Sequence, residues 1–441
     1  MECELEIAGP DGSGVGTISA SLPPVEAVVP PLRVSFSWTL AGSCVYSACN
    51  WAMISILAKF GTPAIVGQFA LGLAISVPVF MLANLQLRGV QATDSQSEFD
   101  FSDYFTLRTV ATALGLAAVM GTALCIRMDL LTVIIICLVG ATRAIEALSD
   151  IVAGLLQKAE RLDQLAIILA ARGLLSLSAF GYAFWKFHSL IAAISAMAIA
   201  WAAIFFLYEL PLATRINGSA SFFKFRWQIL RRLAVVSIPL GAVMALGSLN
   251  VNLPRYVLER YAGTGQLGIF ASLAYLGTSA TIVINALGQS ASARLARMFA
   301  SGDHDAFSKL IWKFAAFGFL IGIIGVPLGL LVGRRLLSAI YRPEYATHLP
   351  VLLIMVCSAS VGAVASFIGY GVTAARSFKG QMVIMCLAAI VTVVASIWLV
   401  PGRGIMGAAV AVLLSSVAQA IGFTFLLLRR MSSVRWDGTL K

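Results

Sequence analysis

Arg143, Glu146 and Asp150 interrupt a stretch that is otherwise mostly Leu, Ile, Val and Ala. Spacings of three and four residues put all three on one helical face. Arg172 interrupts the next apolar run. Measured from the turn near residues 158–162, at ~1.5 Å per helical residue, Arg172 lies roughly 15 Å along its helix, Glu146 roughly 18 Å and Asp150 roughly 12 Å. Arg172 is therefore expected within reach of either carboxylate. Two chemistries fit such a group. It is a neutral network of two arginines and two carboxylates that locks two helices together, or a cavity lining that binds an anionic substrate or couples to a cation.

Arg255 flanks the outer end of the seventh apolar run with Arg260, and a guanidinium suits bidentate contact with phosphate. Arg88, Arg108, Arg260 and Lys313 also fall near the ends of apolar runs, where snorkelling towards headgroups accounts for them. Asn50, Asn250, Asn252, Asn285 and Gln289 either line a pathway or tie helices by hydrogen bonds. Asn50 and Asn252 join Arg143, Arg172 and Arg255 as candidate substrate-binding residues. Glu146 and Asp150 are the candidate ion-coupling or structural pair.

Several chemistries have no residues to carry them. There is no GxxxxGK[ST] motif for nucleotide hydrolysis. His188, His304 and His348 are scattered, and the seven cysteines show no CxxC spacing, so neither a metal site nor a disulfide framework is expected. No cofactor is implied beyond H+ or Na+ coupling, and no catalytic constellation is visible. Enzymatic function is not expected.

The elements that hold these residues follow from composition. The 441 residues are 59% hydrophobic and only 12% charged, with a mean hydropathy of +0.91. A soluble domain carries about twice that share of charge, so the bilayer is the expected solvent. Ten stretches are long enough and free enough of charge to span ~30 Å of hydrocarbon, and residues 130–156 and 165–185 add two charged ones. The reading is an all-α polytopic membrane protein of about twelve transmembrane helices. A charge at the bilayer centre costs at least ~2.5 kcal/mol, so the Arg143 face cannot look at lipid.

Eighteen Lys and Arg fall on the side of both termini and nine on the other, which predicts cytoplasmic termini. The net charge of +11 then reflects topology and anionic membrane lipids, with no nucleic-acid partner. A repeat offset by 201 residues pairs Gly67-Gln68-Phe69-Ala70 with Gly268-Ile269-Phe270-Ala271. Asp103-Tyr104-Phe105 answers Asp305-Ala306-Phe307 at an offset of 202. Two pseudo-symmetric six-helix lobes are expected, residues 32–210 and 232–430. An interfacial linker over 211–231 joins them, its Phe222–Trp227 run alternating aromatic and basic residues. Residues 1–31 read as a disordered tail and 431–441 as a second cytoplasmic tail.

From about residue 32 to 430 the chain resembles the Wzx-type polysaccharide flippases, within the superfamily of multidrug, oligosaccharidyl-lipid and polysaccharide exporters. The resemblance rests on Gly67 to Ala70 with Ala74 and Pro78, on Arg143 to Asp150 with Gln157-Lys158, and on Pro254-Arg255-Tyr256 with Leu267 to Phe270. Ala293-Arg294-Leu295-Ala296 and the later Phe307 add to it. It implies a MATE-like fold, two lobes around a cavity that opens alternately to each side of a bacterial inner membrane. It implies polyprenyl-pyrophosphate-linked oligosaccharide as substrate, possible polysaccharide assembly partners, and a phosphate- and sugar-binding role for Arg143, Arg172 and Arg255. MATE cation exporters carry a carboxylate in the first span, where this chain has only Asn50. That departure argues against cation antiport.

Overall fold

The computed structural model describes residues 32–94, 98–126, 128–218, 222–375 and 377–438. The expected N-terminal tail and the side chains of Asn285 and Gln289 lie outside the described residues. Among the described residues every regular element is helical, and ten helices are long and apolar enough to cross a membrane.

Two of these are too long for one crossing: Trp227–Ala300 has 74 residues and Phe378–Gly438 has 61. At ~1.5 Å per residue each would overrun a ~30 Å core more than twice. Each breaks at a single glycine, Gly263 at φ 79° and Gly404 at φ 52°, positions where a Cβ would strain the backbone. Divided there, the described residues form the expected twelve crossing helices. They are α1 (Leu32–Phe60), α2 (Pro63–Ala83), α3 (Phe101–Cys125), α4 (Leu130–Lys158), α5 (Leu162–Phe187) and α6 (Leu190–Asn217). The second set is α7 (227–262), α8 (264–300), α9 (His304–Ile340), α10 (Leu349–Ala374), α11 (378–403) and α12 (405–438).

Short polar residues set the starts. The Thr62 hydroxyl accepts from the Ile65 N–H with Pro63 at the first helical position, and Asp100 and Asp103 form a capping box on α3. Asp129 caps α4 by accepting from the Thr132 N–H and hydroxyl, at 3.0 and 2.8 Å. Those Thr132 hydrogen bonds hold the Asp129 carboxyl below its ordinary value. The Thr132 hydroxyl in turn accepts from Gln68 Nε2 at 3.1 Å, tying α4 to α2.

The repeat motifs meet each other in space. A Cβ on Gly67 would collide with the Thr264 carbonyl and approach Gly268 N, and one on Gly268 would collide with the Pro63 carbonyl and approach Gly67 N. Pro63 and Thr264 are themselves 201 residues apart, so the contact is reciprocal, and only glycine permits it. Beside it, Pro78 removes the N–H that would bond the Ala74 carbonyl four residues earlier. The Tyr256 hydroxyl of α7 donates to that carbonyl instead. The side away from the termini is closed by similar cross-links. Lys59 Nζ donates to the Ala339 carbonyl at 2.9 Å, Arg342 Nε to the Lys59 carbonyl at 3.3 Å, and the Tyr341 hydroxyl to the Ser272 carbonyl at 3.0 Å.

The aromatic and basic Phe222–Trp227 run is not helical throughout: residues 222–226 form no helix or strand, and α7 starts at Trp227. Phe222 packs on Phe101 and Phe105, while Arg226 pairs with Asp103 at 2.5 Å and Asp100 at 2.8 Å. The aromatic residues thus find a protein surface and the basic ones find the α3 capping box. At the other end, residues 431–438 continue α12. One apolar core runs through both halves, including Phe69, Phe270, Trp201 and Val400. Smaller cores lie under α3–α5 and between α8, α9, α10 and α12.

Candidate functional site

Helix α4 presents Arg143, Glu146 and Asp150 on one face, as its sequence dictated. Arg143 Nη1 lies 2.5 Å from Glu146 Oε2, and the Tyr46 hydroxyl of α1 donates to Glu146 Oε1 at 2.9 Å. Asp150 is held from two directions. Arg108 Nη2 lies 2.9 Å from its Oδ2 and Arg88 Nη1 lies 3.3 Å from its Oδ1. Arg108 is fully buried, with Asn84 Oδ1 as a second acceptor, although its place in the sequence suggested an interfacial residue.

Arg172 meets neither Glu146 nor Asp150, contrary to the expectation from helix geometry. Its Nη2 lies 2.5 Å from Glu209 Oε1 and also donates to Ser149 Oγ. Glu209, which ends an apolar run in the sequence, is fully buried in α6. The cause is local. The helix widens into a π turn over Phe205–Glu209, just ahead of Pro211. The wider turn changes which way its side chains face, and Glu209 comes to lie against α5. A buried guanidinium demands a partner more strongly than one near solvent, and this turn supplies it.

Between the two clusters stands Trp201. The Arg143 guanidinium lies 5.5 Å from its ring centroid and that of Arg172 lies 5.6 Å away. One fully buried indole thus attracts both cations through its ring quadrupole.

The face opens onto a cavity of about 910 Å³ between the terminal-side halves of α1 and α2. Tyr46, Ser43 and Ser47 line it from α1, Phe80 and Met81 from α2, Arg88 from the connection to α3, and Arg143, Glu146 and Asp150 from α4. Met244 of α7 is the lining residue from the second half among the described residues. A side chamber of about 190 Å³ shares Tyr46, Glu146 and Asp150 and reaches Ser149, Arg172 and Glu209. The polar walls of both suit water or an ionic group. The charges lining the two cavities balance, Arg88, Arg143 and Arg172 against Glu146, Asp150 and Glu209, with Arg108 buried behind Asp150.

Backbone strain places Arg88. Leu85 and Gln86 adopt left-handed φ of 49° and 52° where α2 ends, a conformation that costs a non-glycine residue energy. The reversal sends the short helix Leu87–Thr93 back along α4, where Gly154 lets it pass: a Cβ there would collide with Gln91.

The remaining sequence candidates lie elsewhere. Arg255 Nη1 donates to Asn252 Oδ1 at 3.1 Å, and Asn252 Nδ2 donates to the Ser248 carbonyl at 2.8 Å. Asn50 Nδ2 donates to the Tyr46 carbonyl at 2.9 Å. None of the three is among the described residues that line either cavity. Asn250 ties helices: its Oδ1 accepts from Thr392 at 2.6 Å and Ser415 at 3.2 Å. Sequence reasoning missed Tyr46, Trp201 and Glu209. Only Glu209, an acid ending an apolar run, left a signal that could have matched it to Arg172.

Helices, glycine contact and charged cavity together describe a polytopic helical membrane fold. Its likeness to solved structures extends over the chain. A MATE-family multidrug resistance transporter of the MOP superfamily, in an inward-facing conformation, superposes with a TM-score of 0.67 at 11% identity, over 88% of this chain and 95% of that one. The lipid II flippase MurJ, in an inward closed conformation, gives a TM-score of 0.69 at 12% identity, over 90% of this chain and 87% of MurJ. In sequence, the chain is 25% identical over 396 residues to the capsular polysaccharide biosynthesis protein CapF of Staphylococcus aureus, covering 89% of this chain and 98% of CapF. No protein-family model matches. These likenesses bear out the resemblance to the exporter superfamily drawn from the sequence.

Proposed function

We propose that this protein is a flippase that moves polyprenyl-pyrophosphate-linked oligosaccharide across a bacterial inner membrane by alternating access. The observation that carries the reading is the cavity between α1 and α2, whose wall offers the guanidinium groups of Arg143 and Arg88. A diphosphate headgroup cannot leave water for ~30 Å of hydrocarbon unaided, and fixed guanidinium groups replace its hydration. The similarity to CapF, a capsular polysaccharide biosynthesis protein, supports a saccharide-linked cargo.

In this reading both termini are cytoplasmic, because the side they share carries most of the Lys and Arg. The cavity then opens to the cytoplasm, and the Lys59, Arg342 and Gly67–Gly268 contacts seal the opposite side. Uptake occurs from the inner leaflet, in concert with polysaccharide assembly proteins. Glu146 and Asp150 are the cavity carboxylates available for H+ or Na+ coupling. Arg143 binds the headgroup and Arg172 acts behind it, through Trp201.

The test is the amount of lipid-linked sugar reaching the outer leaflet of intact cells. Arg143→Ala should reduce it at least roughly tenfold, as loss of a charged contact worth ~1.4 kcal/mol or more would. Normal delivery by a folded variant sinks the reading. The carboxylates of the same cavity favour one rival, an exporter of small amphiphilic cations. A binding screen of purified protein separates the two: diphosphate lipids should bind and cationic dyes should not.

A further inference from the structure

We infer that Asp150 is an internal stand-in for substrate phosphate, a carboxylate that occupies Arg88 and surrenders it when a diphosphate enters the cavity. The inference rests on the flippase reading and names the group that cargo must displace within that site.

The two arginines on Asp150 are unequal. Arg108 is buried behind the carboxylate, its side chain 0% exposed, and its Nη2 lies 2.9 Å from Oδ2. Arg88 stands on the cavity side, 36% exposed, with its Nη1 3.3 Å from Oδ1 and its Nε 3.3 Å from Gln157 Oε1. A half-exposed ion pair at that distance is weak, because water and salt screen it and the side chain retains freedom. A buried pair is not easily parted, since either partner left alone is an uncompensated charge. Arg88 is therefore the arm that can leave, and Arg108 is the anchor that stays.

The anchor is what makes the exchange feasible. When Arg88 swings to a phosphate, Asp150 keeps the buried guanidinium of Arg108 and no charge is left without a counterpart. A carboxylate and a phosphate present the same pair of acceptor oxygens to a guanidinium, so cargo competes for the atoms that Asp150 already engages. Arg88 and Asp150 line the main cavity and the side chamber alike, so a phosphate in the cavity reaches both. Because the lining charges are already paired, the site recruits a diphosphate only by freeing such internal pairs. The cargo this selects is one with a compact, doubly charged headgroup, and a lone carboxylate gains nothing over Asp150.

The experiment measures binding by calorimetry on the full chain in nanodiscs, with farnesyl diphosphate and inorganic pyrophosphate as probes and farnesol as the uncharged control. Asp150→Asn should bind both diphosphates about tenfold more tightly than wild type, as expected when a guanidinium occupied most of the time is released. Tightening confined to farnesyl diphosphate supports the inference with a lipid as the source of the phosphate. Unchanged or weaker binding of both probes by a monodisperse Asp150→Asn protein overturns it. Arg88→Gln leaves the buried Arg108–Asp150 pair intact, so it also guards against misfolding of the first variant. It should weaken farnesyl diphosphate about tenfold, as loss of one charge-assisted contact does, and wild-type affinity there overturns the inference independently. A wild-type chain that delivers lipid-linked sugar without tightening in Asp150→Asn removes this inference alone. Tightening without delivery removes the flippase reading and leaves the stand-in role of Asp150.

Discussion

The two halves of the chain place similar helices around very different interiors. In the first half, α3 to α6 and the loop after α2 bring four arginines and three carboxylates together. In the second, α10 has no charged residue at all, and the interior of α7, α11 and α12 is tied by Asn250, Thr392 and Ser415. Hydrogen bonds between neutral groups tie helices without raising the energy of burial much. Ionic groups do the same work only at a large desolvation cost. The first half accepts that cost beside a cavity. The lesson is that a duplicated scaffold can keep its packing and concentrate its chemistry in one copy.

The contrast can be broken most directly at Glu209. Glu209→Ala strands Arg172 in a buried site and should cost on the order of 3–5 kcal/mol, read from thermal unfolding of the purified protein in detergent. Adding Arg172→Met should restore much of that loss. If Glu209→Ala proves no worse than the neutral control below, the two interiors do not differ as described. Where the halves are alike, effects should be alike. Gly67→Val and Gly268→Val each drive a side chain into the opposing backbone, and each should cost about 1–3 kcal/mol in the same unfolding assay. A marked inequality would show that the glycine contact is not reciprocal. Tyr256→Phe uncovers the Ala74 carbonyl left by Pro78 and should cost about 1 kcal/mol. The smallest change is the neutral control, Thr392→Val, which removes one of the two hydrogen bonds to Asn250 and should cost near the ~0.6 kcal/mol typical of such a bond between membrane helices.

The fold was legible because a bilayer imposes few solutions. Ten uncharged stretches and two charged apolar ones gave the twelve crossings, and Gly263 and Gly404 fall just past Arg260 and Arg403, where one stretch gives way to the next. The site was legible only along single helices. The Arg143–Glu146 pair follows from a spacing of three on α4 and formed as that spacing requires. The partner of Arg172 did not follow, because Glu209 lies 37 residues away and faces inward through a π turn that propensity does not announce. Arg108 was placed too near the interface, since α3 begins at Phe101, seven residues before it. The non-helical run at residues 222–226 was not legible for a related reason. Alternating aromatic and basic residues signal two faces, but only the waiting surface of Phe101, Phe105, Asp100 and Asp103 decides what those faces meet.

The glycine contact has an evolutionary consequence. Because Gly67 touches the strip around Gly268 as Gly268 touches the strip around Gly67, the pairing has the form of a self-complementary interface between two identical subunits. Positions elsewhere can change in one half without regard to the other, but at this spot a change on either side is checked by the other.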